Sequence, residues 1–190
     1  MRHLLCSAVV LAMLAPAGLA RAADAATVFG GLFTDTCLAA FNDPGKVEAF
    51  MEARGLAALP DGIARNFLRG NSGKAWAIVL GEANYAVAQT DEGLCSVFAR
   101  QAQAEAVTAE FERLLKHIPA PVQVAELESG GPNRNGTRTR SWGVNAPGSP
   151  NGVMFVLTTS TDPEASLQAM ASMARVATRE FKLLSAPDTP

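Results

Sequence analysis

With an N-terminal leader set aside, this chain keeps two cysteines, Cys37 and Cys95, and joining them constrains the fold more than any other feature. An even pair of cysteines in a chain bound for an oxidising compartment reads as a disulfide. Closing a loop of about 60 residues is worth roughly 4 kcal/mol on the chain-entropy model. That is a large share of the about 5–15 kcal/mol that holds a typical domain. The competing reading, a reactive thiol, has little beside it. There is no CxxC spacing, and His117 is the only histidine beyond the leader.

The leader has three parts. Met1-Arg2-His3 is a short basic start, Leu4 to Leu14 is an apolar run, and Ala20-Arg21-Ala22 puts small side chains where a signal peptidase inspects. The run is far shorter than the roughly 18–20 residues that span a bilayer. It therefore reads as a cleavable signal peptide over residues 1–22, giving a periplasmic or secreted chain cut near Ala22. Cys6 lies inside the apolar run rather than after it, so it makes no lipid attachment site. Residues 23–184 then form one domain, large enough to bury a core without metals, and residues 185–190 a disordered tail.

The whole chain has 16 basic and 18 acidic residues, and losing Arg2 and Arg21 leaves a net charge of −4. No block of like charge occurs, which argues against nucleic acid or an anionic membrane surface as partner. No segment of the mature chain is long and apolar enough to be transmembrane.

Periodicity organises the rest. Leu32, Phe33, Cys37, Ala40 and Phe41 share a helical face within residues 27–42, and Asp43-Pro44 opens a second helix carrying Val47, Phe50 and Met51. A third short helix is expected at residues 63–68. The period then shortens to two. Residues 74–80, 85–89 and 94–99 read as three strands joined by turns at 81–84 and 91–93, and such short links favour antiparallel neighbours. Cys95, Val97 and Ala99 fall on one face of the third strand, so a bridge to Cys37 would staple the N-terminal helices to that face. Residues 103–117 carry the clearest helical stripe, Ala106, Val107, Phe111, Leu114 and Leu115, ended by Pro119 and Pro121. Strands are expected at 122–127, 137–144 and 153–161. Residues 165–178 fit both a helix and a buried strand hairpinned to 153–161, and the strand is favoured slightly. The sum is an α+β fold: N-terminal helices packed on a mainly antiparallel sheet, with one central helix. The two halves also rhyme: Lys74-Ala75-Trp76-Ala77-Ile78 against Arg140-Ser141-Trp142-Gly143-Val144.

Phe33-x-x-x-Cys37, Gly73-x-Ala75-Trp76 and Gly93-x-Cys95-x-Val97 together resemble a family of small exported bacterial proteins and lipoproteins with no assigned activity. The likeness covers residues 30–100, with a weaker match beyond. It implies export and the Cys37–Cys95 pairing, and implies no reaction. Family members with a lipid anchor differ from this chain, which has no usable attachment site.

Chemistry-bearing patterns are sparse. His117 sits at the end of a helix, where a cation suits the dipole, and no Gly-x-Ser-x-Gly elbow supplies a nucleophile. One histidine and two bridged cysteines leave no zinc ligand set, and no calcium-loop spacing occurs. Gly70-Asn71-Ser72-Gly73 reads as a turn, and Asp91-Glu92 as solvated turn acids. Neither a cofactor nor a catalytic residue is expected. Arg138, Arg140 and Trp142 share a strand face next to Arg134, a set that could grip an anion through guanidinium forks or simply guard an exposed edge by charge. This is the expected ligand or partner surface. The functional expectation is a non-catalytic exported protein that binds another envelope protein or a small ligand. Two alternatives stand beside it: a carrier with an apolar cavity, and a hydrolase whose catalytic residues are unrecognised.

Overall fold

A computed structural model describes residues 17–80, 83–129, 131–133, 135–178 and 181. The signal-peptide reading falls largely on residues 1–16 and the tail reading on 185–190, which lie outside the described residues, as does Arg134.

The fold is α+β. Helices α1 (Ala17–Phe33), α2 (Gly45–Glu52) and α3 (Asp61–Leu68) precede a meander of β1 (Gly73–Leu80), β2 (Ala83–Thr90) and β3 (Cys95–Arg100). Helix α4 (Ala104–Lys116) leads into a second meander, β4 (Gln123–Ser129), β5 (Thr137–Asn145), β6 (Asn151–Ser160) and β7 (Ala169–Ala177). All seven strands join one antiparallel sheet in the order β1-β2-β3-β7-β6-β5-β4. Each meander is local in sequence, and the one long-range pairing, β3 with β7, fuses them at the centre.

The element left open by periodicity is a strand. β7 is flanked by β3 and β6, and its small residues Ala169 and Ala171 are buried between two neighbours. A strand covered on both faces loses the alternation that marks a half-buried one. Helix α1 begins ten residues before the expected start and continues past the expected cleavage point at Ala22. Among its residues whose side chains are described, Ala26 is the first buried apolar one. After Phe33 the helix widens into a π-helical turn, Thr34–Leu38, where the Ala39 N–H donates to the Thr34 carbonyl five residues back. Thr36 is wholly buried, and its hydroxyl donates to the Leu32 carbonyl at 2.6 Å.

The main core lies on one face of the sheet. It joins Phe29, Phe33 and Cys37 to Val107 and Phe111 of α4 and to Trp76, Val87, Val97, Trp142, Phe155 and Leu157 from the strands. A smaller core on the other face joins Ala64 and Leu68 of α3 to Ala75, Ala86, Ala88, Phe98 and Met170. Near the far end of that face, Phe181 covers Gly143 and Gly152. A Cβ at Gly143 would approach the Phe181 ring to 3.0 Å, and one at Gly152 would also come within 2.8 Å of the Val144 carbonyl oxygen. A side chain would press on that ring at Gly143 and collide with both ring and backbone at Gly152.

The register relates the two meanders by an approximate two-fold axis. At the seam Ser96 pairs with Ser172, and their hydroxyls are 2.8 Å apart. Outward from Ser96 the row continues through Ala88 to Ala75; outward from Ser172 it continues through Val156 to Ser141. Trp76 and Trp142 each stand one residue beyond that row, so β1, β2 and β3 correspond to β5, β6 and β7. The Lys74–Ile78 and Arg140–Val144 segments that rhyme in sequence occupy equivalent places.

Candidate functional site

The two-fold relation exposes an asymmetry. In the second half β4 is hydrogen-bonded along the outer edge of β5. In the first half the equivalent edge, that of β1, is the free margin of the sheet. The only backbone hydrogen bond reaching it from another described element is donated by the Leu59 N–H to the Ala75 carbonyl, at 2.7 Å. That bond fixes direction: Ala75 turns its peptide groups outward. In an antiparallel strand the outward groups recur every second residue, so Ala77 and Val79 also present theirs to the margin. Among the described residues no other element takes them up.

The side chains there are apolar and exposed. Val79 is 68% exposed and Leu80 48%, against 2% for Trp76 in the same strand. Ala77 is also exposed. Sheets commonly guard such an edge with charge, proline or a bulge. The opposite margin, β4, has both charge and a bulge: its register slips between Glu126 and Glu128. β1 pairs with β2 in unbroken register from Gly73 to Leu80. Its one charged residue, Lys74, reaches away to Glu48 of α2, which holds its ammonium above the usual pKa range.

The arginine face, which the sequence offers as an anion grip or a charge-guarded edge, lies on β5, and β5 is no edge: it is flanked by β4 and β6. Trp142 is buried in the main core. The Arg140 guanidinium lies over its ring, 4.8 Å from the centroid. Arg140 Nε and Nη2 donate to the two carboxylate oxygens of Glu126 at 2.8 and 3.1 Å, while Nη1 pairs with Glu112 of α4. These carboxylates hold the guanidinium in its charged form, well above its ordinary range. With its fork filled by two acids, Arg140 ties α4 to β5 and β4. Arg138 is exposed on the same strand face, beside an open cleft of about 460 Å³ lined by Thr108, Glu112 and Thr161.

Cys37 and Cys95 are joined, with Cα atoms 5.4 Å apart and a sequence separation of 58. The bridge forms one wall of a shallow cleft of about 200 Å³, whose rim carries Asp91, Glu92 and Arg175. Arg175 stacks over the Phe41 ring, 4.4 Å from its centroid, and donates to the Phe41 carbonyl. Both cysteines are buried, so the sulfurs belong to the core rather than to a reactive surface.

His117 Nδ1 lies 2.7 Å from the Arg113 carbonyl, one turn back along α4. The Ser96 and Ser172 hydroxyls engage each other. Neither arrangement provides a nucleophile with its base. No group of three or more His, Cys, Asp or Glu side chains among the described residues is placed to hold a metal ion. Among those residues no helix is long and apolar enough to cross a membrane. No family model matches the chain, and neither a curated protein nor a solved structure matches it.

The β1 edge escapes the sequence reading because nothing in the residues 74–80 says which side of the strand is bare. One signal was available. A strand of Ala, Trp, Ile, Val and Leu with charge only at its start lacks the gatekeepers that guard an edge.

Proposed function

We propose that this chain is an exported, non-catalytic binding protein that takes another polypeptide as an added strand along the outer edge of β1. One observation carries the reading: the edge left bare in the first half is the place that β4 fills in the second. Strand addition draws its affinity from main-chain hydrogen bonds and its specificity from alternate side chains. Ala77 and Val79 offer those bonds, and Val79 and Leu80 offer apolar contact on the two faces. In this reading α1 and α2, stapled through Cys37–Cys95, cover one face of the sheet and α3 part of the other, which leaves the β1 margin as the working side. The leader-like residues 1–22 and the bridged cysteines support export to a periplasmic or extracellular space. The likeness to small exported bacterial proteins supports the same compartment.

Two measurements test this. N-terminal sequencing of protein exported from a bacterial host should begin at or near Ala23. Displayed random peptides should be enriched by the wild-type protein and not by Ala77→Pro, which removes an outward donor, nor by Val79→Lys. Equal enrichment by all three would discard the β1 edge as the binding surface.

A further inference from the structure

Resting on that reading, we infer that the strand received by β1 is β1 of a second copy of this chain, joined through a two-fold axis at Ile78. The edge is complementary to itself. Centring the axis on Ile78 sets Ala77 opposite Val79 of the second copy and Val79 opposite its Ala77. Each of those residues turns both its N–H and its C=O outward, so the pairing closes four main-chain hydrogen bonds without distortion.

The register has little freedom. The Leu59 N–H already occupies the Ala75 carbonyl, so the incoming strand must end before it reaches Ala75. With the axis at Ile78, the incoming Leu80 falls opposite Trp76, and its strand stops there because β1 ends at Leu80. A shift of the axis to Val79 moves Ala77 beyond the end of the incoming strand and forfeits half the bonds. A shift toward Trp76 drives the incoming chain into Leu59.

Side chains and charge agree with this pairing. Ala77 and Val79 of the two copies meet on one face, which covers Val79, the most exposed large apolar residue among those described. On the other face Ile78 meets Ile78, and Leu80 comes beside Trp76. Residues 75–80 carry no charge, and Lys74 is committed to Glu48, so like charges do not meet across the axis. A two-fold contact of this kind is isologous and closes on itself. The bare edge thereby ends in a discrete fourteen-stranded dimer rather than a fibre. The β4 margin, with its bulge and glutamates, would resist the same use.

The test is sedimentation equilibrium of the disulfide-bonded mature protein over about 10 μM to 1 mM, a range chosen because the shared edge is short and the contact therefore weak. Wild-type protein should move from monomer to dimer across the range. Val79→Lys should weaken association by about ten-fold or more, since an edge lysine blocks strand pairing. Val124→Lys, on the opposite margin, should leave it unchanged. Hydrogen exchange at the Ala77 and Val79 amides should slow with concentration in the wild type and not in Val79→Lys, and circular dichroism of each variant checks that the fold persists. A monomer at every concentration overturns the second-copy inference. So does a dimer indifferent to Val79→Lys, or one disrupted by Val124→Lys. If peptide enrichment at the edge depends on Val79 while the protein stays monomeric, the strand-addition reading stands and the second copy is ruled out as its partner.

Discussion

The two halves of this sheet follow one plan and are fastened in two ways. In the first, Cys37 of the π-helical turn is bonded to Cys95 of β3, the Tyr85 hydroxyl donates to the Ala25 carbonyl of α1 at 3.1 Å, and Lys74 meets Glu48 at the surface. In the second, α4 is held by rings and charge. Phe111 packs against Phe33, Trp142 and Phe155 with centroids 5.2 to 6.2 Å apart, and Arg140 bridges Glu112 and Glu126. Lys74 and Arg140 occupy equivalent register positions, yet Lys74 is half-exposed and Arg140 mostly covered. The same site thus yields a solvated ion pair in one half and a tie between helix and sheet in the other. The deciding difference is β4. It brings Glu126 to Arg140, covers the edge and leaves the first half as the one with an open margin.

Four measurements would break or sharpen this contrast. The largest effect belongs to the covalent fastening. Replacing both cysteines, Cys37→Ala with Cys95→Ala, should lower the unfolding free energy by about 4 kcal/mol in denaturant titration, since the loop is 58 residues long. A loss below about 1 kcal/mol would mean that packing alone holds the first half. Next, Gly152→Ala should cost about 2 kcal/mol, because the new methyl group is forced against the Phe181 ring and the Val144 carbonyl.

The third compares equivalent positions. Arg140→Met should cost about 1 kcal/mol, discounted because both partner carboxylates are more than a third exposed. The loss should shrink in high salt. Lys74→Met should leave thermal stability unchanged. Equal responses from the two would erase the distinction drawn here.

The smallest effect is a pH dependence in the first half. Burial, with Asp24 nearby, raises the Tyr85 pKa above its ordinary value near 10. A phenol that ionises more readily in the unfolded chain favours unfolding once the pH passes that ordinary value. Wild-type protein should therefore lose stability above about pH 10, and Tyr85→Phe should lose less. The same substitution removes one hydrogen bond, about 1 kcal/mol, at neutral pH. Parallel curves for the two proteins would remove Tyr85 from the account of how α1 is held.

Much of the architecture is legible in the residues because its signals are local. The stripe Val107, Phe111 and Leu115 marks α4, and Asp43-Pro44 marks the break before α2. The alternation in 94–99 puts Cys95 on the inward face where Cys37 could meet it. Where signals are not local, the sequence reading divides or misplaces the element. Residues 165–178 admit two periods because β7 buries side chains on both faces of the sheet, Ala171 and Met173 in the main core and Met170 in the smaller one. The arginine face of 138–142 reads as an anion grip or a guarded edge, because nothing nearby in sequence says that β4 lies outside β5 or that Glu112 and Glu126, 28 and 14 residues away, meet Arg140.

The sequence alone determined helices α2 to α4, the first meander, the meeting of Cys37 with Cys95 and the absence of a recognisable catalytic motif, because each depends on spacing within a short stretch or on residue types that are present or missing. Tertiary structure alone decided that β3 pairs with β7, which charges are spent inside the molecule, and which strand is left with a free edge. Hydrogen bonding between distant strands is made by backbone groups that every residue carries, so side-chain pattern cannot say where a sheet stops. The sheet stops at β1 because the chain supplies a fourth strand to one meander and three helices to the other.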